Sequence, residues 1–308
     1  MINRKVTTVI DAEKCTGCGL CIPVCPSATL SMENNKAVVS GNRSLSCGHC
    51  QAVCPTGAIT VNGIDPNSPF FGSFQVSDQW VPFGKFNISQ LVGLIRSRRS
   101  CRNYTQEPVK KELLEDLINV GICAPSGTNS QRWTFTVLPD RDSVMEAAGQ
   151  ILKFFRKLNR TAENTVLRNL LRLIGKTALN DYYRNYYPSV KKGIEHYENH
   201  GRDLLFHGAT AAIIVGSRPG GSCPSEDALL ATQNILLAAH AIGLGSCLIG
   251  FAVEAIRHDP SIKQALGIPG NESIHSVIAL GCPDETYRTH CGRKKPLVRF
   301  FNALPSRS

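Results

Sequence analysis

Two stretches decide the fold of the first part of this chain: CTGCGLCIPVCP from Cys15 to Pro26, and CGHCQAVCP from Cys47 to Pro55. The first spaces four cysteines as C-x2-C-x2-C-x3-C, and the second adds Cys47, Cys50 and Cys54. Runs of this kind hold iron–sulfur clusters: three thiolates of one group bind one cluster and the fourth reaches across to the other. Closely spaced thiolates need a tight loop, and Gly17, Gly19 and Gly48 let the backbone approach the cluster sulfides. A zinc site would present two C-x2-C pairs rather than a run of four, and a disulfide framework belongs to small secreted chains. The residues point to electron transfer.

The whole arrangement resembles the bacterial two-cluster ferredoxins. That resemblance puts Cys15, Cys18, Cys21 and Cys54 on cluster one, and Cys25, Cys47 and Cys50 on cluster two. The fourth ligand of cluster two should fall three residues before Cys47, where the chain has Ser44. A serine oxygen is a harder ligand than thiolate and far less acidic. Three outcomes stay open: a four-iron cluster with a serine, water or remote ligand, a three-iron cluster, or a partly filled site.

The chain has 308 residues, so the cysteine groups occupy only its first fifth. Hydrophobic and charged shares of 42% and 19% are those of globular protein. No apolar run reaches the ~18–20 residues that span a bilayer, which speaks against a membrane partner. The start, MINRKVTTVIDAEKC, has no long apolar core, so no secretory signal is read. Seven of thirteen cysteines are cluster candidates, which points to a reducing cytoplasm. The net charge is +10, with Lys and Arg spread along the chain and no basic run interleaved with aromatics. Nucleic acid is therefore not expected as a partner, whereas bound anions and an acidic electron-transfer partner are.

Residues 1–62 read as a ferredoxin-like domain built from two similar halves, each passing from a β-like stretch through a cysteine group to CPSATL or CPTGAI. Residues 63–88, rich in Pro, Gly, Asn and Ser, read as a linker that docks through Phe70, Phe71, Trp80 and Phe83. Residues 89–308 alternate helical periods with buried strands such as ATAAIIVGS and SIHSVIALG, so helices surround a mixed sheet and the class is α+β.

Arg98-Arg99-Ser100-Cys101-Arg102 follows a helical stretch and gathers three guanidiniums within five residues; such forks suit phosphate oxygens. Ala124-Pro125-Ser126-Gly127-Thr128-Asn129 offers short polar side chains and exposed amides to a polar heterocycle. Followed by GLGSCLIGF at 243–251, these segments resemble the nitroreductase family of FMN proteins over about residues 89–300. The resemblance implies that Arg98, Arg99, Ser100 and Arg102 hold the FMN phosphate and ribityl chain. Pro125, Ser126, Gly127 and Asn129 would touch the flavin of a neighbouring subunit. Backbone groups of Cys247, Leu248, Ile249 and Gly250 would lie along the isoalloxazine. Arg293, in HCGRKKP, would complete the phosphate site, although this segment departs from the family's proline-rich form. An interlocked homodimer follows, because family flavin sites lie between subunits.

A flavin suits the first domain, because it accepts electrons singly and releases them as a hydride. The expected activity is a reductase fed by reduced ferredoxin, or by NAD(P)H, acting on a flat acceptor such as a nitroaromatic or quinone. No GxGxxG follows a strand, so a built-in nicotinamide domain is not expected. Two alternatives remain: an electron-transfer protein without its own small substrate, and a nitroreductase-fold enzyme of different flavin chemistry, such as dehalogenation or dehydrogenation. Tyr182, Tyr183, Tyr186 and Tyr187 belong to a helical insertion that either stacks on a flat substrate or packs a surface helix. His196, His200 and His207 lack the HExxH context of a zinc site.

Overall fold

Short alternating stretches flank the cysteine groups and pair across them. β1 (Thr8–Ile10) runs antiparallel to β4 (Ile59–Val61), and β2 (Leu30–Glu33) antiparallel to β3 (Lys36–Val39). Asn34 and Asn35, with φ of 47° and 60°, close β2 onto β3 in the tight turn whose twist matches paired strands. α1 (His49–Ala52) is a single turn that starts from Gly48. Leu30, Ala37, Ala58, Ile59 and Val61 form a small core together with Cys15, Cys21 and Cys50. Gly17 has a φ of 75°, and a Cβ there would strike the Asn35 carbonyl, so the loop needs glycine for packing as well as for cluster approach. The computed structural model describes residues 4–65 and 67–301; the outer ends of the two expected domains (1–3 and 302–308) and Pro66 lie outside the described residues.

The segment expected as a linker crosses to α3 (Lys111–Gly121) without regular structure. The amides of Gly72 and Ser73 donate to the Asp116 carboxylate at 2.9 and 2.7 Å, and Asn119 Nδ2 donates to the Phe70 carbonyl. Docking is thus made by polar groups, the linker's Gly72 and Ser73 amides, Ser73 hydroxyl and Phe70 carbonyl meeting Asp116 and Asn119. Phe71 is half-buried and stacks on Phe74 at 4.9 Å, but Phe70, Trp80 and Phe83 are exposed, contrary to the aromatic docking expected. A side chain that finds no concave partner stays in solvent however apolar it is. α2 (Ile88–Ser97) follows, capped by Asn87 Oδ1, which accepts from the Ser89 and Gln90 amides.

Beyond Lys111 the chain builds one sheet in the order β5-β6-β8-β7: β5 (Trp133–Leu138), β6 (Ala211–Ser217), β7 (Gly245–Leu248) and β8 (Ser273–Gly281). Pleating divides the central strands between two cores. Ala211, Ile213 and Val215 face the core shared with α3 and α8 (Pro224–Ala241). Ala212 and Ile214 face the core shared with α4 (Arg141–Glu163), α9 (Gly250–His258) and α10 (Pro260–Ala265). α5 (Thr165–Leu173), α6 (Ala178–Asn185) and α7 (Tyr187–His200) pack onto α4 as the helical insertion. The class is α+β as read. All three strand pairings are antiparallel, and the mixed character expected of the sheet reduces to one parallel bridge between Ser100 and Ser246. Continuous apolar strands signal burial on both faces, and helices supply that here without parallel pairing.

Candidate functional site

Two small cavities lie in the N-terminal domain. One is lined by Cys15, Cys18, Cys21 and Cys54, the other by Cys25, Cys47, Cys50 and Ser44. The fold therefore gathers the cysteines in the sets that the spacing implied, with Ser44 buried beside the second set. Backbone amides already aim at sulfur: Thr29 at Cys25 (3.3 Å), Ala37 at Cys15 (3.5 Å) and Ala58 at Cys54 (3.3 Å). Such bonds favour thiolate; the amides of Ala37 and Gly17 pull the Cys15 thiol below its ordinary range, while burial pushes Cys21 and Cys50 up. Among the described residues no three His, Cys, Asp or Glu side chains converge as a single ion requires. Four sulfurs line one cavity and three sulfurs with a serine oxygen the other, and such donor sets suit iron–sulfur clusters.

The arginine segment lies along the edge of the sheet. Ser100 bridges Ser246, the Cys101 amide donates to the Ser246 carbonyl (3.0 Å), and the Thr105 amide donates to the Cys282 carbonyl (2.9 Å). Gly245 is what admits this approach, since a Cβ there would sit 2.7 Å from Cys101 Sγ. Beside the junction opens a cavity of about 590 Å³, lined in part by Arg98, Arg99, His240, Ser246 and Tyr287. Arg98 is half-buried, and burial, with the charges of Arg99 and Arg293, lowers its affinity for its own proton. No carboxylate lies within ion-pair distance of Arg98, Arg99, Arg102 or Arg293 among the described residues. The buried Ser246 Oγ has no hydrogen-bond partner. Arg98, Arg99 and Arg288 outnumber the one lining carboxylate, Glu285, and such a net positive lining fits an anionic group such as a phosphate.

Of the strip after β7, Cys247 and Ile249 turn inward to the core, and the Ile249 amide is spent on the Val277 carbonyl (2.9 Å). Leu248 and Gly250 face outward. Phe251 follows, edge-on to Tyr186 of the insertion (6.1 Å) and to Phe155 of α4 (5.6 Å). A second, largely apolar cavity of about 210 Å³ lies there between α4, α7 and Phe251. The other tyrosines pack the insertion itself: Tyr182 donates to Asn159 Oδ1 (2.6 Å), and Tyr183 stacks on Tyr187 beneath Arg168. The packing reading of that tyrosine set holds for Tyr182, Tyr183 and Tyr187. His196 and His200 lie 5.7 Å apart on α7, whereas His207 belongs to the loop before β6.

The loop Pro125–Gln131 is held from beneath. Asp227, in the first turn of α8, accepts from the Gly127 amide (2.8 Å) and Ser130 Oγ (3.0 Å). Ser126 Oγ accepts from the Gln131 amide (3.0 Å), while Pro125 stays exposed. The Asn129 side chain donates to the Ser46 carbonyl of the N-terminal domain (2.8 Å). Arg4 Nη1 and Nη2 donate to the carbonyls of Asn129 (2.8 Å) and Thr128 (3.1 Å). Asp227, Arg4 and Ser246 escaped the reading of the sequence. The acidic pair Glu226-Asp227 in the first turn of an otherwise apolar helix was the signal for Asp227; Arg4 and Ser246 left none.

The net charge also has an address. Residues 151–192 carry ten Lys and Arg against two Asp and Glu, whereas residues 1–65 carry five against four. Part of the excess thus lies on α4–α7, whose residues 141–200 carry eleven Lys and Arg against six Asp and Glu, and residues 288–299 add five Lys and Arg with no acid.

Comparison with known proteins agrees with this geometry. The NADH dehydrogenase of Thermus thermophilus is 28% identical over 208 residues, covering 66% of this chain and 90% of that protein. The 4-nitrobenzoate reductase of a Nocardioides species is 26% identical over 235 residues, covering 70% and 91%. A crystal structure of a nitroreductase with bound FMN from Bacteroides fragilis superposes with a TM-score of 0.50 at 18% identity, covering 69% of this chain and 99% of that one, and it shares the fold. The 4Fe-4S binding domain family matches residues 8–31, and the Nitroreductase family matches residues 95–282, more than half of the chain. With that span running from the last turn of α2 through β8, the chain belongs to the nitroreductase family and carries a 4Fe-4S binding domain ahead of it.

Proposed function

We propose that this oxidoreductase takes electrons from a one-electron donor such as reduced ferredoxin, passes them through two iron–sulfur clusters to FMN, and reduces a flat organic acceptor, a nitroaromatic or a quinone. The observation that carries the reading is the cavity lined by the guanidinium-bearing Arg98, Arg99 and Arg288 against the one carboxylate of Glu285. FMN, when bound, supplies the conversion between single electrons and a hydride. The guanidiniums of Arg98, Arg99 and Arg293 bind its phosphate, and Arg102 and Ser100 flank the ribityl chain. Leu248 and Gly250 present the exposed edge along which the ring lies, and Phe251 with Tyr186 walls the acceptor and excludes water. Cys15, Cys18, Cys21 and Cys54 hold one cluster; Cys25, Cys47 and Cys50 hold the other, with Ser44 in the fourth place.

A second copy completes the site. Every residue of α2 lies outside the core, and Ile88, Leu91, Val92 and Ile95 are exposed. Leu297, Val298, Phe300 and Phe301 are exposed as well, an apolar surface that a homodimer would bury. The Pro125–Asn129 loop then borders the flavin anchored by the other subunit. Free thiols throughout suit a cytoplasmic setting. No helix among the described residues is long and apolar enough to cross a membrane.

Anaerobic photoreduction followed by addition of a nitroaromatic or quinone tests the reading. Flavin reoxidation with formation of the reduced organic product is expected. A flavin that stays reduced with every such acceptor, yet reoxidises with a protein acceptor, would replace this reading with that of an electron carrier.

A further inference from the structure

We infer that electrons leave the N-terminal domain through the three-cysteine site, that of Cys25, Cys47 and Cys50, and that Arg4 is the residue that positions this exit against the Gly127–Gln131 loop. The inference rests on the proposed reading in which that loop borders the flavin.

The cavity of Cys25, Cys47 and Cys50 is also lined by Ser44 and Leu45, so the segment Ser44–Cys47 is its outer wall. That wall is what touches the rest of the molecule. One guanidinium, Arg4, donates to the Leu45 carbonyl (3.1 Å) on the cluster side and to the Asn129 and Thr128 carbonyls on the loop side. Asn129 Nδ2 returns a bond to the Ser46 carbonyl. Among the described residues, these are the hydrogen bonds that join residues 4–65 to the loop, and none comes from the Cys15–Cys21 segment. Cys18 instead is exposed beside the exposed Leu20, so the first cluster's wall faces outward, where a donor docks.

The loop is prepared to hold a fixed distance. Thr128, Asn129 and Gln131 have φ of 54°, 53° and 47°, conformations that persist only when their surroundings over-determine them. Asp227 holds the loop from beneath through the Gly127 amide and Ser130 Oγ, and Arg4 holds it from the cluster side, so the loop is fixed on two sides. The step itself forms and breaks no bond. One electron leaves the cluster at Cys25, Cys47 and Cys50 and enters the flavin, and one electron from a reduced ferredoxin-class carrier replaces it through the outer cluster, oxidising the carrier. Two such electrons and one proton from water make the hydride given to the acceptor, and a second proton completes the product.

The test uses full-length protein loaded with iron and FMN, reduced anaerobically with dithionite in a rapid-mixing cell, with cluster and flavin absorbance followed separately. Arg4→Ala should leave iron content, FMN content, the electron paramagnetic resonance signals of both clusters and the rate of cluster reduction unchanged. It should slow the cluster-to-flavin step about tenfold or more, as loss of a fixed geometry does. Arg4→Lys should recover part of that rate. Lys36→Ala, which removes the ammonium bound to the Cys15 carbonyl (2.5 Å), should leave the step unchanged. An unchanged step in Arg4→Ala, or a slower one in Lys36→Ala than in Arg4→Ala, overturns the inference alone. A wild-type protein whose reduced clusters never reduce the flavin overturns both this inference and the proposed function. Should Arg4→Ala fail to load, Ser44→Cys gives an independent reading. It alters the signal of the exit cluster, and a flavin that draws first on the cluster whose signal is unaltered overturns the inference.

Discussion

Arg98 shows how much one side chain is asked to do at this site. It is half-buried next to two other cations and has no carboxylate within reach, an arrangement that costs free energy until an anion arrives. Arg98→Ala should therefore weaken FMN by about tenfold or more, the loss of a charge-assisted bond of roughly 1.5–3 kcal/mol, read by fluorescence titration of the apoprotein. Iron content should not change, because the residue lies far along the chain from every cluster cysteine. Ser44→Cys addresses the other cofactor: with a thiolate in the fourth place, iron per chain should rise toward eight, that of two four-iron clusters, or a three-iron signal should convert. Unchanged iron and an unchanged spectrum would remove Ser44 from the ligand position. Gly245→Ala probes packing, since its Cβ would fall 2.7 Å from Cys101 Sγ. A stability loss of about 1–3 kcal/mol in denaturant unfolding is expected, with looser FMN because Ser246 moves with the strand. Arg98 and Ser44 could be picked out from local spacing. Ser246 could not, because nothing in GLGSC marks a serine whose buried hydroxyl is left without a partner.

The insertion α4–α7 behaves as an element with its own electrostatics. Its surplus of cations lies on helices that meet Phe251, next to the exposed strip at Leu248 and Gly250. An anionic acceptor is attracted to such a surface and a neutral one is not. At about 1 M salt, where the screening length falls to about 3 Å, the KM for a nitrobenzoate should rise several-fold while that for a neutral nitroarene stays level. Parallel behaviour of the two substrates would show that the charge serves something other than substrate approach. Helical periodicity made the existence of these helices readable. The linker taught the converse lesson: its aromatics looked like anchors, yet the anchor is Asp116, whose importance comes from the two amides that the fold brings to it.

For the molecule as a whole, the two domains keep separate cores. The residues that enclose the flavin-domain sheet all lie beyond residue 100, and those around the clusters lie before residue 65. Deleting residues 1–62 should thus leave a folded protein that binds FMN and accepts hydride from artificial donors. It should lose flavin reduction by reduced ferredoxin while keeping reduction by any donor that meets the flavin directly. Equal loss with both classes of donor, on folded and flavin-loaded protein, would count against the N-terminal domain as electron inlet.

Chemistry that depends on near neighbours was written in the sequence: the C-x2-C-x2-C-x3-C run, the RRSCR cluster, the α+β alternation and the serine that stands three residues before Cys47 are all matters of spacings of a few residues. Thiolates three residues apart on a loop, or guanidiniums side by side, have little freedom to act separately. Tertiary structure decided what depends on long closures. It set Ser100 against Ser246, placed Asp227 under the Gly127 amide a hundred residues away, and let Arg4 join the wall of one cluster site to the loop at Asn129. Those contacts carry no local signature because an arginine, a serine or an aspartate is common everywhere; only the folded chain determines which carbonyl or amide it meets.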